Sequence, residues 1–422
     1  MREGILENGQ KVQEVREQSY KNIRISVPCQ KKERVLEMDK LLERCCGLDV
    51  HKDKIEACII DIAVEEPNRE TFDATPAGYE RLSNWLNQND CRNIAMESTG
   101  VYWIPLYEIL EEKLKNKETI IVGNAYHMKN VPGRKTDVKD AEWIAGLLQH
   151  GLIEQSFVPE RTVRDMREIA RQKRNLINSR TTEINHLEKY LQRHGIKLSS
   201  VLSSITGTSS MLMLKELAKS GELTLDKVRQ YHNGRMKNSP EKIYEAVCVK
   251  LSTAECRLLD FDIRHIEEIT RDIEELSSML AELFTAYEVH LKIATSIPGI
   301  STESAMEILA EISPKPDEAF LKKERVCKWA GLTPRNDGSA DKIISRKTLH
   351  GNPYVKSLLV QCAWVAVKAR NSVFNNWFWS RQGRIGRKKA IVAVARKILA
   401  LLFTLLERGE FYDPNTAIGM TR

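Results

Sequence analysis

No cysteine pair in this sequence has the C-x-x-C spacing of a zinc or redox site, and its nine cysteines are odd in number and scattered. That pattern excludes a disulfide scaffold and suits a reducing cytoplasm. No H-E-x-x-H, Walker A or G-x-S-x-G sequence occurs, so zinc-protease, P-loop and esterase chemistry lack their usual carriers. Long apolar runs are missing too. The most apolar stretch, "IVAVARKILALLFTLL", is broken by Arg396 and Lys397 and is too short to span a bilayer. The first twenty residues are charged throughout, unlike a signal peptide. The sharpest absence is local. From Lys342 to Leu406 there is no Asp or Glu, while Lys and Arg number thirteen. Because the whole chain carries a formal charge of only +7, the remainder is net negative. A concentrated positive field of this kind is how proteins approach phosphate backbones.

What is present fills 422 residues, enough for two or three domains. Residues 1–44 read as a polar N-terminal arm. Residues 45–158 alternate strand-like and helix-like segments: "KIEACIIDIAV" as a strand hairpin, "TPAGYERLSNWLNQN" as a helix, "CRNIAMEST" as a strand, "VYWIPLYEILEEKLK" as a helix, and "TIIVGNA" as a strand. This is a layered α/β pattern. Residues 159–290 are helical. From Glu160 to about Leu198 runs a helix with ten Lys or Arg. Further on, Ile266, Ile269, Ile273, Leu276, Leu280, Leu283 and Tyr287 step by threes and fours, either an a/d seam of a coiled-coil arm or an ordinary core stripe in a helical bundle. Its partner is either the basic helix of the same chain or a second protomer. Residues 291–422 form a small, mainly helical C-terminal domain. Within it, "IPGI" before the helix Thr302–Ile312 is either a turn offering N–H groups to a phosphate or plain helix packing.

Four carboxylates of the first domain fall at element ends. Asp49 lies in "GLDVHKD" and Glu97 closes the strand "IAMEST". Asp137 and Asp140 open the helix of "RKTDVKDAEWIAGLL". Clustered carboxylates are the donors a hard cation such as Mg²⁺ takes. Taken alone, Asp137 and Asp140 read first as a helix cap and a first-turn acid, and only beside Asp49 and Glu97 as half of a metal site. In the basic domain Ser339 lies in a polar, Gly-containing loop near Arg335, Lys342, Arg346 and Lys347. Such cations would offset the charge of a phosphodiester under attack. The block "RQGRIGRKK", with Arg384, Arg387 and Lys388, follows the aromatic "FNNWFW" and suits nucleic acid.

Several of these pieces, in order, resemble transposases of the IS110/IS1111/IS116/IS902 insertion-sequence group. They are "GLDVHKD", "MESTGVYWIPLYEIL", "NAYHMKNVPGRKTDVKDAEWIAGLL", "IPGI", "WAGLTPRNDGSADK" and "GNPYVKSLLVQCAWVA". The resemblance implies an α/β RNase H-like (RuvC-like) domain, a long helical coiled-coil segment and a serine-containing transposase domain. It implies that Asp49, Glu97, Asp137 and Asp140 are a DEDD tetrad binding Mg²⁺. It also implies that Ser339 forms a covalent link to DNA, with Asp341 standing where the family has glycine. The active site would be composite, the acids of one protomer facing the serine of another. The implied partners are donor and target DNA, a structured noncoding guide RNA, and further copies of the chain as a homodimer or homotetramer. Arg164, Arg167, Arg171 and Arg174 of the basic helix become nucleic-acid contacts on this reading, and the location is the bacterial cytoplasm, at the nucleoid when active. Two other functions stay open: a metal-dependent junction-resolving nuclease that uses water, and a non-catalytic nucleic-acid scaffold.

Overall fold

The computed structural model describes residues 42–98, 100–125, 128, 131, 140–334, 337–339, 342–345, 348, 350–370 and 372–414. Nearly all of the N-terminal arm, as well as Asp137, Arg335 and Arg346, lies outside them. The chain divides after Ser156 into two compact units.

The first unit is built on a five-stranded sheet in the order β3-β2-β1-β4-β5. Strands β1 (Arg44–Val50), β2 (Lys54–Asp61) and β3 (Val64–Asp73) form an antiparallel meander. β4 (Asn93–Glu97) and β5 (Thr119–Gly123) run parallel to β1. Parallel neighbours need crossovers, and helices provide them. Helix α1 (Pro76–Gln88) starts as its sequence directs: the Thr75 side chain accepts from Gly78 N–H, and Pro76 occupies the first turn. Helices α2 (Trp103–Lys113) and α3 (Asp140–Gln149) complete the unit. The central strands are buried almost throughout, whereas the edge strand β3 buries only Phe72.

The second unit begins with α4 (Arg161–Arg193). Four short helices follow: α5 (Leu198–Val201), α6 (Thr208–Ser220), α7 (Leu225–Tyr231) and α8 (Pro240–Val247). Then α9 (Thr253–Leu283) returns along α4. A full capping box starts α9, Ser252 and Glu255 each bonding the other's backbone N–H. Ile266, Ile269, Ile273 and Leu280 are buried on its seam. Thus the seam's partner is the chain's own basic helix. The two helices run antiparallel, with Tyr190 donating to the Glu255 carbonyl at one end and Tyr287 to the Glu160 carboxylate at the other. The short helices form a separate core at the tip, where Met213, Leu214, Val228 and Ile243 meet Leu187, Leu191 and Leu259.

Beyond the arm lie α10 (Glu288–Ser296), α11 (Thr302–Ile312), α12 (Pro316–Phe320) and α13 (Lys323–Trp329). A short hairpin follows, β6 (Asp337–Ser339) with β7 (Lys342–Ser345). Helices α14 (Pro353–Ala366), α15 (Val373–Ile385) and α16 (Arg387–Arg408) close the unit. The apolar face of α16 is buried in the centre of this core, so its hydrophobicity serves packing. Among the described residues no helix is long and apolar enough to cross a membrane. The core does not break near residue 290, because Met166, Ala170, Leu280 and Phe284 from the root of the arm belong to it. The "IPGI" turn is a packing device. Gly299 has φ +94°, and a Cβ there would lie 2.5 Å from the Cys362 carbonyl oxygen of α14.

Candidate active site

The site grows from the alternation of β1. Cys45, Gly47 and Asp49 point to one face of the strand. On that face the Cys45 Sγ donates to the Ala145 carbonyl of α3 at 3.3 Å. Helix α3 then crosses so close to Gly47 that an added Cβ would stand 2.1 Å from the Ala141 oxygen and 2.4 Å from the Ala145 nitrogen. Only glycine allows this approach. It brings the first residue of α3, Asp140, over the end of β1 beside Asp49. A Gly47→Ala chain must displace backbone rather than a flexible side chain. We expect it to lose about 3 kcal/mol, the upper part of the usual overpacking range, in a denaturant titration. The placing of Asp140 beside Asp49 should be lost with it, because α3 carries Asp140.

Glu97 arrives through the sheet. β1 and β4 pair in parallel at Gly47–Ala95 and Leu48–Met96, so Asp49 and Glu97 are the next neighbours in register, at the carboxyl ends of both strands. On the other side of β1, Asp49 pairs directly with Glu56 of β2. The pleat therefore sets Glu56, Asp49 and Glu97 in one row on one face, with Asp140 above it. The electrostatics reflect the crowding. Burial pushes the Asp49 carboxyl above its ordinary pKa; His51 opposes this, and Asp140 and Glu56 add to it. His51 Nε2 lies 3.0 Å from Asp49 Oδ2. Glu56 in turn takes an ion pair from Lys54 at 2.7 Å.

Of the expected tetrad, Asp49 and Glu97 are neighbours in strand register and Asp140 acts on Asp49, while Asp137 lies outside the described residues. Glu56 was missed. It sits inside the apolar run "KIEACII", and the only signal was an acid facing the same side as Asp49 once the hairpin register is drawn. The all-oxygen donor set is the chemistry of a hard divalent cation. Among the described residues, however, no three His, Cys, Asp or Glu side chains are gathered closely enough to enclose an ion.

Ser339 lies on a short strand rather than in a loop. It closes β6, and its backbone partner across the hairpin is Lys342, the first residue of β7. The base of the hairpin is pinned. Pro334 bridges to Thr348, and Asn352 N–H donates to the Trp329 carbonyl at 3.0 Å. Asn352 also caps α14 through its side-chain oxygen, while its amide nitrogen donates to Glu311 at 2.6 Å.

The basic face of α4 requires a correction. Arg171 makes a two-pronged bond to the buried Glu311 carboxylate, at 2.6 and 2.9 Å. Arg167 donates to the carbonyls of Ala310 and Glu311 at the end of α11. Arg174 and the buried Lys173 bind Glu307, and Lys173 also binds Glu303. Arg164 donates to the Pro159 carbonyl at 2.9 Å. The side chains of Arg167, Arg171 and Arg174 that were expected on nucleic acid instead fasten α4 to α11. The acids that match them lie more than a hundred residues away in sequence, so composition alone could not pair them. On the distal helices, Arg384 and Lys388 are exposed, and Arg387 stands 5.0 Å over the Trp364 ring.

The sequence that builds these two units is similar to that of transposases. Residues 46–196 match the model of the IS110 DEDD transposase domain, and residues 291–378 match the transposase model of the IS116/IS110/IS902 family. Between them the two matches span more than half of the chain, and it belongs to that family. Two relatives agree. The transposase for insertion sequence element IS1111A of Coxiella burnetii is 24% identical over 288 residues, 67% of this chain and 69% of its own. The protein y4rJ of Sinorhizobium fredii, which bears the name transposase, is 32% identical over 123 residues, 27% of this chain and 30% of its own.

Proposed function

We propose that the protein excises and inserts a DNA element by serine-mediated strand exchange that depends on Mg²⁺. The observation that carries this is the placing of Asp49 and Glu97 as register neighbours at the carboxyl ends of β1 and β4, where open sheets bind their ligands, with Asp140 near enough to act on Asp49. The strand order and the antiparallel-then-parallel pattern support an RNase H-like reading of the first unit. Asp49, Glu97, Asp137 and Asp140 would hold the metal, which when bound supplies charge neutralisation at the reacting phosphate. Ser339 Oγ forms a new P–O bond to a backbone phosphate as the bond to one sugar oxygen breaks. The serine gives up its proton, and the departing sugar oxygen gains one. Attack by the sugar hydroxyl of a second strand then releases the serine and joins the new pair. Lys342, opposite Ser339, with Arg335 and Arg346 nearby in sequence, offsets phosphate charge. Arg384, Arg387 and Lys388 hold nucleic acid. The further partners are a structured guide RNA and additional copies of the chain.

The direct test combines purified protein, any RNA that co-purifies with it, and DNA carrying the element ends and a target. Joined products that need Mg²⁺ are expected, and removing the RNA should abolish their target choice. Joining that proceeds unchanged in excess chelator would sink the metal half of the reading. Indifference to ribonuclease would sink the RNA half.

A further inference from the structure

Buried or half-buried cations of the second unit are generally matched by acids, as Lys173 is by Glu303 and Glu307 and Arg171 by Glu311. The group around Lys397 of α16 differs in this respect. On α15, Trp377, Arg381 and Arg384 recur at i, i+4 and i+7 and so share a flank of the helix. Lys397 of α16 reaches across to this flank and holds its ammonium 5.0 Å from the centre of the Trp377 ring. It is only partly exposed, while Arg381 and Arg396 are exposed beside it. Burial lowers the Lys397 pKa, and Arg381 and Arg396 lower it further, with no acid acting in the other direction. Both helices lie in the stretch that lacks Asp and Glu altogether, apart from the last turn of α16. Lys397 thus sits on an aromatic ring beside two further cations, and no acid is among the described groups that act on it. Arg384, Lys388 and Lys389 extend the same sign outward, which suits a polyanion rather than a single carboxylate.

We propose that Arg381, Arg396 and Lys397 bind a backbone phosphate of a nucleic acid laid across α15 and α16, with Trp377 holding the lysine in position. The site rests on the nucleic-acid reading above but adds Arg396 and Lys397 of α16 to the basic block that begins at Arg381. A cation–π contact fixes the ammonium without neutralising it, so its charge stays available to a ligand.

The test uses the full chain and two variants. Lys397→Met keeps the stem on Trp377 and removes the charge; Arg381→Gln alters only an exposed side chain. Binding to a duplex DNA and to an unpaired RNA of equal length is measured over a salt series. Each variant should flatten the log–log salt slope by about 0.9 on duplex or about 0.7 on a single strand. Near 0.1 M salt that corresponds to about five- to eightfold weaker binding. The nucleic acid whose slope changes more is the one that occupies the site. Lys292→Met, which removes a cation already paired with Glu288 at 2.8 Å, should leave both slopes unchanged. Parental slopes in both variants, with parental binding intact, would overturn this site and leave the proposed function standing. A parent chain that binds neither nucleic acid would sink both.

Discussion

Asp49→Asn is expected to abolish Mg²⁺-dependent strand joining while leaving the fold at least as stable as the parent. The two effects have one cause. Asp49 stands half buried in a row with Glu56 and beneath Asp140, and burial and these neighbours raise its pKa. For a carboxyl raised in the folded state, the contribution to stability is present at acid pH, below the unfolded value. It is lost as pH rises through the folded value, so at neutral pH the charged Asp49 is a net cost. Asparagine keeps the shape and removes the charge, so the melting temperature at pH 7 should hold or rise, and the gap between parent and variant should close toward pH 3. Activity should move the other way, by more than about a hundredfold, since loss of a mere supporting partner already costs 10–100-fold at metal sites. Added Mg²⁺ should raise the melting temperature of the parent and not of the variant. A variant that melts lower and still joins strands would show that Asp49 is a structural acid and the row is no metal site.

Much of this arrangement was legible because it rests on local rules. The strand β4 within "CRNIAMEST", the helix after Thr75 and the helix Thr302–Ile312 follow from apolar period and capping residues and formed where expected, whereas "KIEACIIDIAV", read as a hairpin, holds β2 and only the first residue of β3. The edge strand β3 was not legible. Its sequence "VEEPNRETFD" is polar on both faces, because an edge strand that buries only Phe72 needs no apolar alternation, and Pro67 argued against a strand. The tip was read only as part of a helical stretch, since four helices of four to thirteen residues each show too few turns for a clear period. The seam on α9 was visible, but its partner was not, because a heptad pattern specifies a companion helix without saying whose. In the site, Asp49, Glu97 and Asp140 were found as acids at element ends. Glu56 needed the register of a hairpin, and the engagement of Arg167, Arg171 and Arg174 needed Glu307 and Glu311. Pairings across such sequence distances are set by tertiary packing, which no local rule reports.

Ser339→Ala should remove the protein–DNA adduct altogether, and strand joining should drop by at least about a thousandfold, the scale on which loss of a nucleophile acts. Binding of DNA and thermal stability should stay at parental levels. The reason lies in the hairpin: Ser339 pairs with Lys342 through backbone groups, which alanine keeps. A denaturing gel of protein incubated with labelled DNA reads the adduct directly, because a serine–phosphate ester survives unfolding. The same assay separates the competing mechanism. A nuclease working with water alone would leave no adduct in the parent, and Ser339→Ala would cleave at the parental rate while Asp49→Asn would not. Should both variants lose cleavage but only Asp49→Asn lose the Mg²⁺-induced rise in melting temperature, the acid row and the serine hairpin are two parts of one reaction. Should Ser339→Ala cleave normally, the hairpin is a binding element and the acids work without it. The departure at Asp341 sharpens the comparison. An acid next to a serine that attacks a phosphate adds negative charge where positive charge helps, so Asp341→Gly is expected to speed adduct formation rather than slow it.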